Sequence, residues 1–444
     1  MLQRRKSNRA ALQMSFSSFV DRVLERVSCL DKFSLKCCQS YDASHVNAWV
    51  SALLKYHIEE LDLSIPVKKS YDDVLPRDLF SCRTLVVLKL GAGFMLKIPT
   101  SVCLPSLKIL HLDRVKFSDA VSIKRLLLGC PVLDELNMNQ CLGKDVHVID
   151  ISAPVLTKLR YYCKQGSKYS LDDFLETADF SEYLIVIDTP ALLHLELIDN
   201  AAKVYLVQSL SHIVKADISI AVQYDETKSK GITDLLMGIS EVQSLHLYND
   251  CQEAVHKIDS ELPIFHNLTS LVVGAGYVGW EWLSQLLVKS PCLESLVFEE
   301  AYPVKDGENE DEDDEDESDD ESKGDESEGD DKPLFLHDWL PPQNVPSCLL
   351  SSLKLIKFAI FQGDNGDLKM VEYFLRNAEV LEKLIIETNG TVGSCFDMDG
   401  AALAIAQEQL AVTMKLLKLP RGSKTCEIEF VILHDGLDGS ESPY

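Results

Sequence analysis

The residues whose types and spacing come nearest to chemistry are Gly274-Ala275-Gly276-Tyr277-Val278-Gly279. They form a G-x-G-x-x-G run between an apolar stretch, LTSLVV, and an amphipathic one, WEWLSQLL. In a dinucleotide site such glycines let the backbone approach a pyrophosphate at a helix N-terminus, and an acidic side chain further on holds the ribose. Glu299 stands 20 residues after Gly279, where that acid would fall. Two features oppose this chemistry. Trp280 and Trp282 crowd the first helical turn, where a dinucleotide fold needs close helix–strand packing. A polyanionic segment follows, and it would repel a cofactor's phosphates. The run therefore reads as a glycine-rich turn of a repeated unit. A nucleotide-binding enzyme using Gly274, Gly276 and Gly279 is the alternative.

The remaining candidates are weaker. The chain holds no H-E-x-x-H, no Walker loop and no G-x-S-x-G. Its eleven histidines are scattered, and its thirteen cysteines form no C-x-x-C pair. Reduced, buried thiols in a cytoplasmic and/or nuclear protein are expected, with no catalytic residue, no metal site and no cofactor. Between Asp306 and Asp331 stand 18 acidic residues and one lysine, so most of the formal −27 lies there. The other residues hold 52 acidic and 42 basic side chains. The acidic run lacks the glycine-turned spacing of a calcium loop. Ser318, Ser322 and Ser327 suit an acid-directed kinase, although phosphate would only add to its self-repulsion. Residues 301–333 read as a disordered insert, with an acidic lure for a basic partner as a second reading. Such a balance excludes a strongly basic nucleic-acid-binding body. No apolar run is long enough to span a membrane, and MLQRRKSNR is not followed by the apolar core of a secretory signal.

What must position any site is a repeat of form L-x-x-L-x-L. It appears as PSLKILHL from Pro105, PVLDELNM from Pro131, PVLTKLRY from Pro154, PALLHLEL from Pro190 and PCLESLVF from Pro291. Copies without the proline begin near Ile58, Arg83, Val242, His266, Ser351 and Glu379, and IVKADISI from Ile213 is a weaker one. Their central residues are Leu61, Leu88, Leu110, Leu136, Leu159, Leu195, Ala216, Leu245, Leu271, Leu296, Ile356 and Leu384. Most gaps fall near the ~20–29 residues of a leucine-rich repeat. The widest, 60 residues between Leu296 and Ile356, contains the acidic run. Period-2 alternation makes each copy a strand. Leu127 precedes Leu133 by six residues, as Leu287 precedes Leu293 and Leu375 precedes Leu381, which implies one fixed helix-to-strand turn. A unit of this size cannot bury its apolar face alone, so units must stack. The expected fold is an α/β leucine-rich-repeat solenoid. A curved parallel sheet lies on its concave side, helices or irregular turns lie on its convex side, and the acidic insert interrupts it. Ordinary two-layer α/β sheets are the alternative.

Several phrases carry a family resemblance: FSSFVDRVL from Phe16, then HVNAWVSALL, LPRDLFSCRTLVVLKL, LLLGCPVLDEL and IDTPALLHLEL. These resemble the repeat region of plant F-box/LRR proteins. The tail resembles their FBD domain in VPSCLLSSLKLIKF, VEYFLRNAEVLEKLII and LLKLPRGSKTCEIEF. The resemblance implies substrate recognition for an SCF-type, cullin-based ubiquitin ligase, with an F-box holding a Skp-type adaptor while the repeats choose the target. An F-box of ~40 residues would precede Phe16 and open with amphipathic helices; here 15 residues do. Two expectations follow: an F-box-less relative, or a sequence whose F-box lies upstream. Leu75-Pro76 imitates an F-box start but runs into the strand RTLVVLKL and belongs to the repeat.

The organisation expected is a disordered basic tail over 1–15, repeats over 16–300, the acidic insert over 301–333, an FBD domain over 334–430 continuing the solenoid, and a flexible tail over 431–444. Residues between the last two strand leucines project from the concave face. They are Lys89, His111, Asn137, Arg160, Glu196 and His246, a strip of mixed sign. Such a strip suits a folded target protein read by several modest contacts, and no polyanion or membrane. A Skp-type adaptor and cullin join only if an F-box is present.

Overall fold

The structure is a computed structural model. It describes residues 16–433 apart from 28, 67–74, 92–93, 142–145, 165–182, 201, 209, 221–225, 249–250, 252–261, 275–280, 300–341, 343, 360, 362, 364, 390–409 and 411. The expected basic tail, the acidic insert, Gly276 and Gly279 lie outside the described residues. The chain divides into two compact units: Met1–Leu271 with Gln285–Leu293, and Val272–Ser284 with Glu294–Tyr444.

In chain order the first unit holds β1 (Lys32–Lys36), β2 (Glu60–Ser64), β3 (Val87–Gly91), β4 (Met95–Leu96), β5 (Ile109–Asp113), β6 (Lys116–Phe117) and β7 (Glu135–Asn139). There follow β8 (Val148–Ser152), β9 (Lys158–Cys163), β10 (Tyr183–Asp188), β11 (His194–Asp199), β12 (Ala202–Val207), β13 (Lys215–Ile220) and β14 (Ser244–Leu247). The main sheet runs β1-β2-β3-β5-β7-β9-β11-β13-β14, every pair parallel. The central residues expected from the repeat lie opposite one another, from Leu61↔Leu88 to Ala216↔Leu245, and all are buried. Each leucine buried this way contributes about 1.5–3 kcal/mol, so the ladder of inward side chains holds the units in stack.

Strand entry follows one device. The N–H of Leu107, Leu133, Leu156, Leu192, Ile213, Val242, Leu268 and Leu293 each donates to the carbonyl three residues earlier. Then two successive N–H groups share one carbonyl of the preceding repeat, as Asp134 and Glu135 share that of Lys108. Pro105, Pro131, Pro154, Pro190 and Pro291 occupy the second position of this turn, where a fixed φ is favoured. Stopping a helix is only part of their role, because Pro154 and Pro190 follow strands. Where a helix does precede, as with Ser122–Leu128, Gly129 closes it. A Cβ there would come 2.3 Å from Val102 Cγ1, so only glycine lets the two repeats approach.

The layer opposite the main sheet differs from expectation. Helix α1 (residues 16–26) and α2 (Ala43–Leu54) open the chain, joined by Trp49 Nε1–H donating to Asp21 at 2.8 Å. After α3 (Ser122–Leu128), the return segments form a three-stranded parallel sheet, β8-β10-β12, before α4 (Glu226–Gly238) resumes. The expectation of helices or irregular turns is corrected there. Segments such as VIDIS and YLIVID alternate at period 2, with Ile149, Ile151, Ile185 and Ile187 buried, and carry no helical period.

The second unit repeats the theme with β16 (Ser295–Glu299), β17 (Leu355–Phe358), β18 (Lys383–Asn389) and β19 (Glu427–Leu433), again in parallel order. β15 (Ser270–Gly274) spans the boundary between the units. β16 pairs directly with β17, Leu296 against Ile356, so the chain between them leaves and returns to one register. β19 pairs with β18 through Asn389↔Leu433, so ordered structure continues past the expected limit at Phe430. Within the sheet that carries the repeats, two strands, β1 and β19, were not foreseen. Twelve described cysteines are free; Cys29, Cys38, Cys103 and Cys292 are exposed rather than buried. Cys292 is exposed because it sits in the strand-entry turn, beside Pro291.

Candidate functional site

Inward residues alternate with outward ones, so each main-sheet strand offers its central outward side chain at the same height. In the first unit the register gives one row: Ser34, Asp62, Lys89, His111, Asn137, Arg160, Glu196, Asp217 and His246. All six side chains expected from the sequence fall in it; Lys89 to Glu196 are consecutive, and Asp217 separates Glu196 from His246. Asp62 and Asp217 belong to the row but were missed. Counting one residue past Leu61 and past Ala216 would have found both, had the weaker copy IVKADISI been given equal weight.

The row is electrostatically committed. Arg160 Nε–H donates to Glu196 Oε2 at 2.7 Å, and His111 Nε2 lies 2.6 Å from Glu135 Oε1. Lys215 reaches Asp217 at 3.3 Å, with His246 Nδ1 at 3.7 Å on the other side and its ring stacked 4.0 Å from Tyr248. Lys36 lies 3.8 Å from Asp62, and Lys32 lies 2.7 Å from Glu60, which raises the Lys32 ammonium above its usual range through that hydrogen bond. Arg160 and Glu196 are thus one paired feature rather than two independent readers. At the middle of the face these strands line a depression of about 390 Å³, between Glu135, Asn137, Lys158, Arg160, His194, Glu196, Lys215 and Asp217.

Beneath the row, the layers are tied by a buried polar cluster. Asp199, at the end of β11, accepts from Tyr183 Oη and Tyr205 Oη at 2.6 Å each and from the Ala202 N–H at 2.9 Å. Tyr161 Oη donates to Tyr183 Oη at 3.1 Å. Burial pushes all three phenols well above the usual tyrosine range, with the Asp199 charge acting in the same sense. Thiols play a similar bridging part. Cys141 Sγ donates to the Leu112 carbonyl at 3.2 Å, and Cys251 Sγ donates to Ile218 and accepts from the Ile220 N–H. Asn200 is only half-buried, and its neighbour Asp199 takes the interior place.

For the glycine run, only Gly274 is described, as the last residue of β15, and helix α5 (Glu281–Val288) follows with Trp282 buried. Among the described residues no cluster of histidine, cysteine, aspartate or glutamate could hold a metal, and no helix is long and apolar enough to cross a membrane.

Comparison with known proteins adds the following. A family model described as FBD-associated F-box protein At5g56370, LRR repeats, matches residues 46–218, and the FBD model matches residues 341–386. The F-box/LRR-repeat protein At3g59210 of Arabidopsis thaliana is 34% identical over 307 residues, covering 65% of this chain and 60% of its own length. The chain thus spans less than two thirds of that relative. The putative F-box/LRR-repeat protein At3g59230 of the same plant is 30% identical over 407 residues, covering 84% of this chain and 75% of the relative. The Arabidopsis F-box/FBD/LRR-repeat protein At1g78750 is 28% identical over 442 residues, covering 93% and 82%.

Proposed function

The chain belongs to the F-box/LRR-repeat protein family, and from that premise we propose that it is a non-catalytic recognition module. It binds a target protein on the open face of its first unit, on behalf of an SCF-type ubiquitin ligase. The observation that carries this reading is the in-register row from Asp62 to His246, with the 390 Å³ depression at its centre. A parallel ladder presents one side chain per strand at fixed spacing, which is how a repeat array offers an extended binding surface. The free cysteines among the described residues support reading such a module as cytoplasmic, nuclear or both.

A Skp-type adaptor and a cullin would enter only through an F-box. Relatives named for an F-box extend beyond the matched region, so an adaptor-binding segment joined to this sequence is the arrangement to test. Adaptor pull-down with this chain beside an upstream-extended one separates the two situations: binding by the extended chain alone assigns the adaptor to the upstream segment. The target-binding claim has its own test. With a partner captured on the wild-type chain, Arg160→Glu or Glu196→Arg alone is expected to weaken binding about tenfold, as loss of a recognition charge does. The swapped double variant keeps the internal pair but reverses its polarity, and should stay folded without recovering affinity. Unchanged binding in all three removes the open face as the interface.

A further inference from the structure

The open face differs in how its two signs of charge are used. Its carboxylates are occupied from within: Glu60 by Lys32, Asp62 by Lys36, Glu135 by His111, Glu196 by Arg160, and Asp217 by Lys215 and His246. Of the bases that line the depression, two are not. Lys158 and His194 stand opposite each other on β9 and β11, are exposed, and line the depression; Lys158 has Glu135, which is paired with His111, as its other neighbour in the row, and neither base has a carboxylate within 4.0 Å among the described residues. Lys215 follows on the next strand in the same row. A basic ligand would have to share each of these carboxylates with the partner it already has. An acidic one finds donors already waiting, at no such cost.

Resting on the reading of this face as the target-binding surface, we infer that the depression takes an acidic segment of the target protein. An aspartate or glutamate side chain lodges against Lys158 Nζ and His194, and Arg160 stays with Glu196. The rest of the ligand crosses the neutral side chains, chiefly Asn137. This runs against the whole-chain charge of −27, which on its own points to a basic partner. Local commitment of the charges, not their sum, sets the choice, since fields beyond about 8 Å are screened at physiological salt.

The test is selection of short randomised peptides, displayed on phage, against the full chain, followed by fluorescence anisotropy on synthetic copies of the enriched sequences. The inference expects enrichment in Asp and Glu, and affinity that falls about five- to tenfold in Lys158→Glu, with a further loss on adding His194→Glu. Lys424→Glu, the same charge change at an exposed site in the second unit, should leave affinity unchanged. Circular dichroism melts check that each variant folds. Enrichment in Lys and Arg, or no enrichment at all, overturns the inference. If Arg160→Glu abolishes binding while Lys158→Glu does not, the open face stands and the acidic ligand falls. If neither changes binding, both fall.

Discussion

The two units use one strand-and-turn device for different chemistry. In the first, the central outward row is polar throughout and the inward columns are largely aliphatic. In the second, the matching row reads Val297, Lys357, Ile385 and Glu429, and the inward column holds Phe298, Phe358, Ile386 and Phe430. Phe298 and Phe358 stack at 4.5 Å with planes 9° apart, and Phe374 from the helix Asn365–Asn377 closes on them. What the contrast teaches is that the outward column is free of the inward one. Stacking fixes the apolar side, so the open side can be polar throughout in one unit and half apolar in the other.

The contrast can be broken by substitution. Phe358→Ala removes the centre of the aromatic stack and should cost about 3–5 kcal/mol. Hydrogen exchange should then lose protection over β16 to β19 while β2 to β13 keep theirs; equal loss in both units would deny that they are separate compact bodies. Asp199→Ala strands two buried tyrosine hydroxyls in the first unit and should cost about 2–4 kcal/mol in chemical denaturation. Tyr205→Phe, which leaves the carboxylate two donors, should cost about 1 kcal/mol. If Tyr205→Phe costs as much as Asp199→Ala, the cluster does not work as a shared acceptor.

Alkali separates the units less strongly. Burial pushes the Cys130, Cys163 and Cys348 thiols up to about 12 and the three phenols higher still than their usual values. In the unfolded chain these groups ionise near pH 9–10, while in the fold they keep their protons, so the unfolded state gains the advantage. Stability is fully present below about pH 9 and falls above it by up to about 1.4 kcal/mol per pH unit for each such group. Thermal melts from pH 8 to 11 should drop, and Cys163→Ala with Tyr161→Phe should flatten the slope. The smallest effect belongs to Arg160→Glu, whose exposed pair contributes at most about 1 kcal/mol to stability. A large stability loss there would mean that the row is structural rather than a reader.

Much of this architecture was legible. The twelve strands announced themselves because their inward leucines must be apolar and evenly spaced, a constraint a sequence displays openly. β1 escaped because KFSLK carries only Phe33 and Leu35 and lacks the full motif. β19 escaped because it lies 44 positions beyond Leu384, counted from Ile428. The sheet β8-β10-β12 escaped because its segments sit between repeats and share no motif with them. At the face, position in the row could be counted from the sequence, but the pairing could not. Whether Arg160 meets Glu196 or a ligand depends on register between strands 36 residues apart. Asp199 was invisible because its tyrosine partners come from β10 and β12, two strands outside the repeat motif.

Toward an extended peptide laid on the proposed face, the parallel ladder would act as a vernier. Neighbouring rungs lie ~4.8 Å apart, whereas side chains on one face of an extended peptide recur every ~6.7 Å. The two scales come nearly into step at three rungs against two dipeptides, ~14.4 Å against ~13.4 Å. A straight segment laid across the strands therefore meets equivalent contacts at every third strand, so that a residue aligned on Arg160 finds its next match at His246. Intermediate rungs are met out of phase. One-residue shifts of the ligand would change which rungs coincide, letting a fixed row of nine side chains distinguish frames of the same sequence.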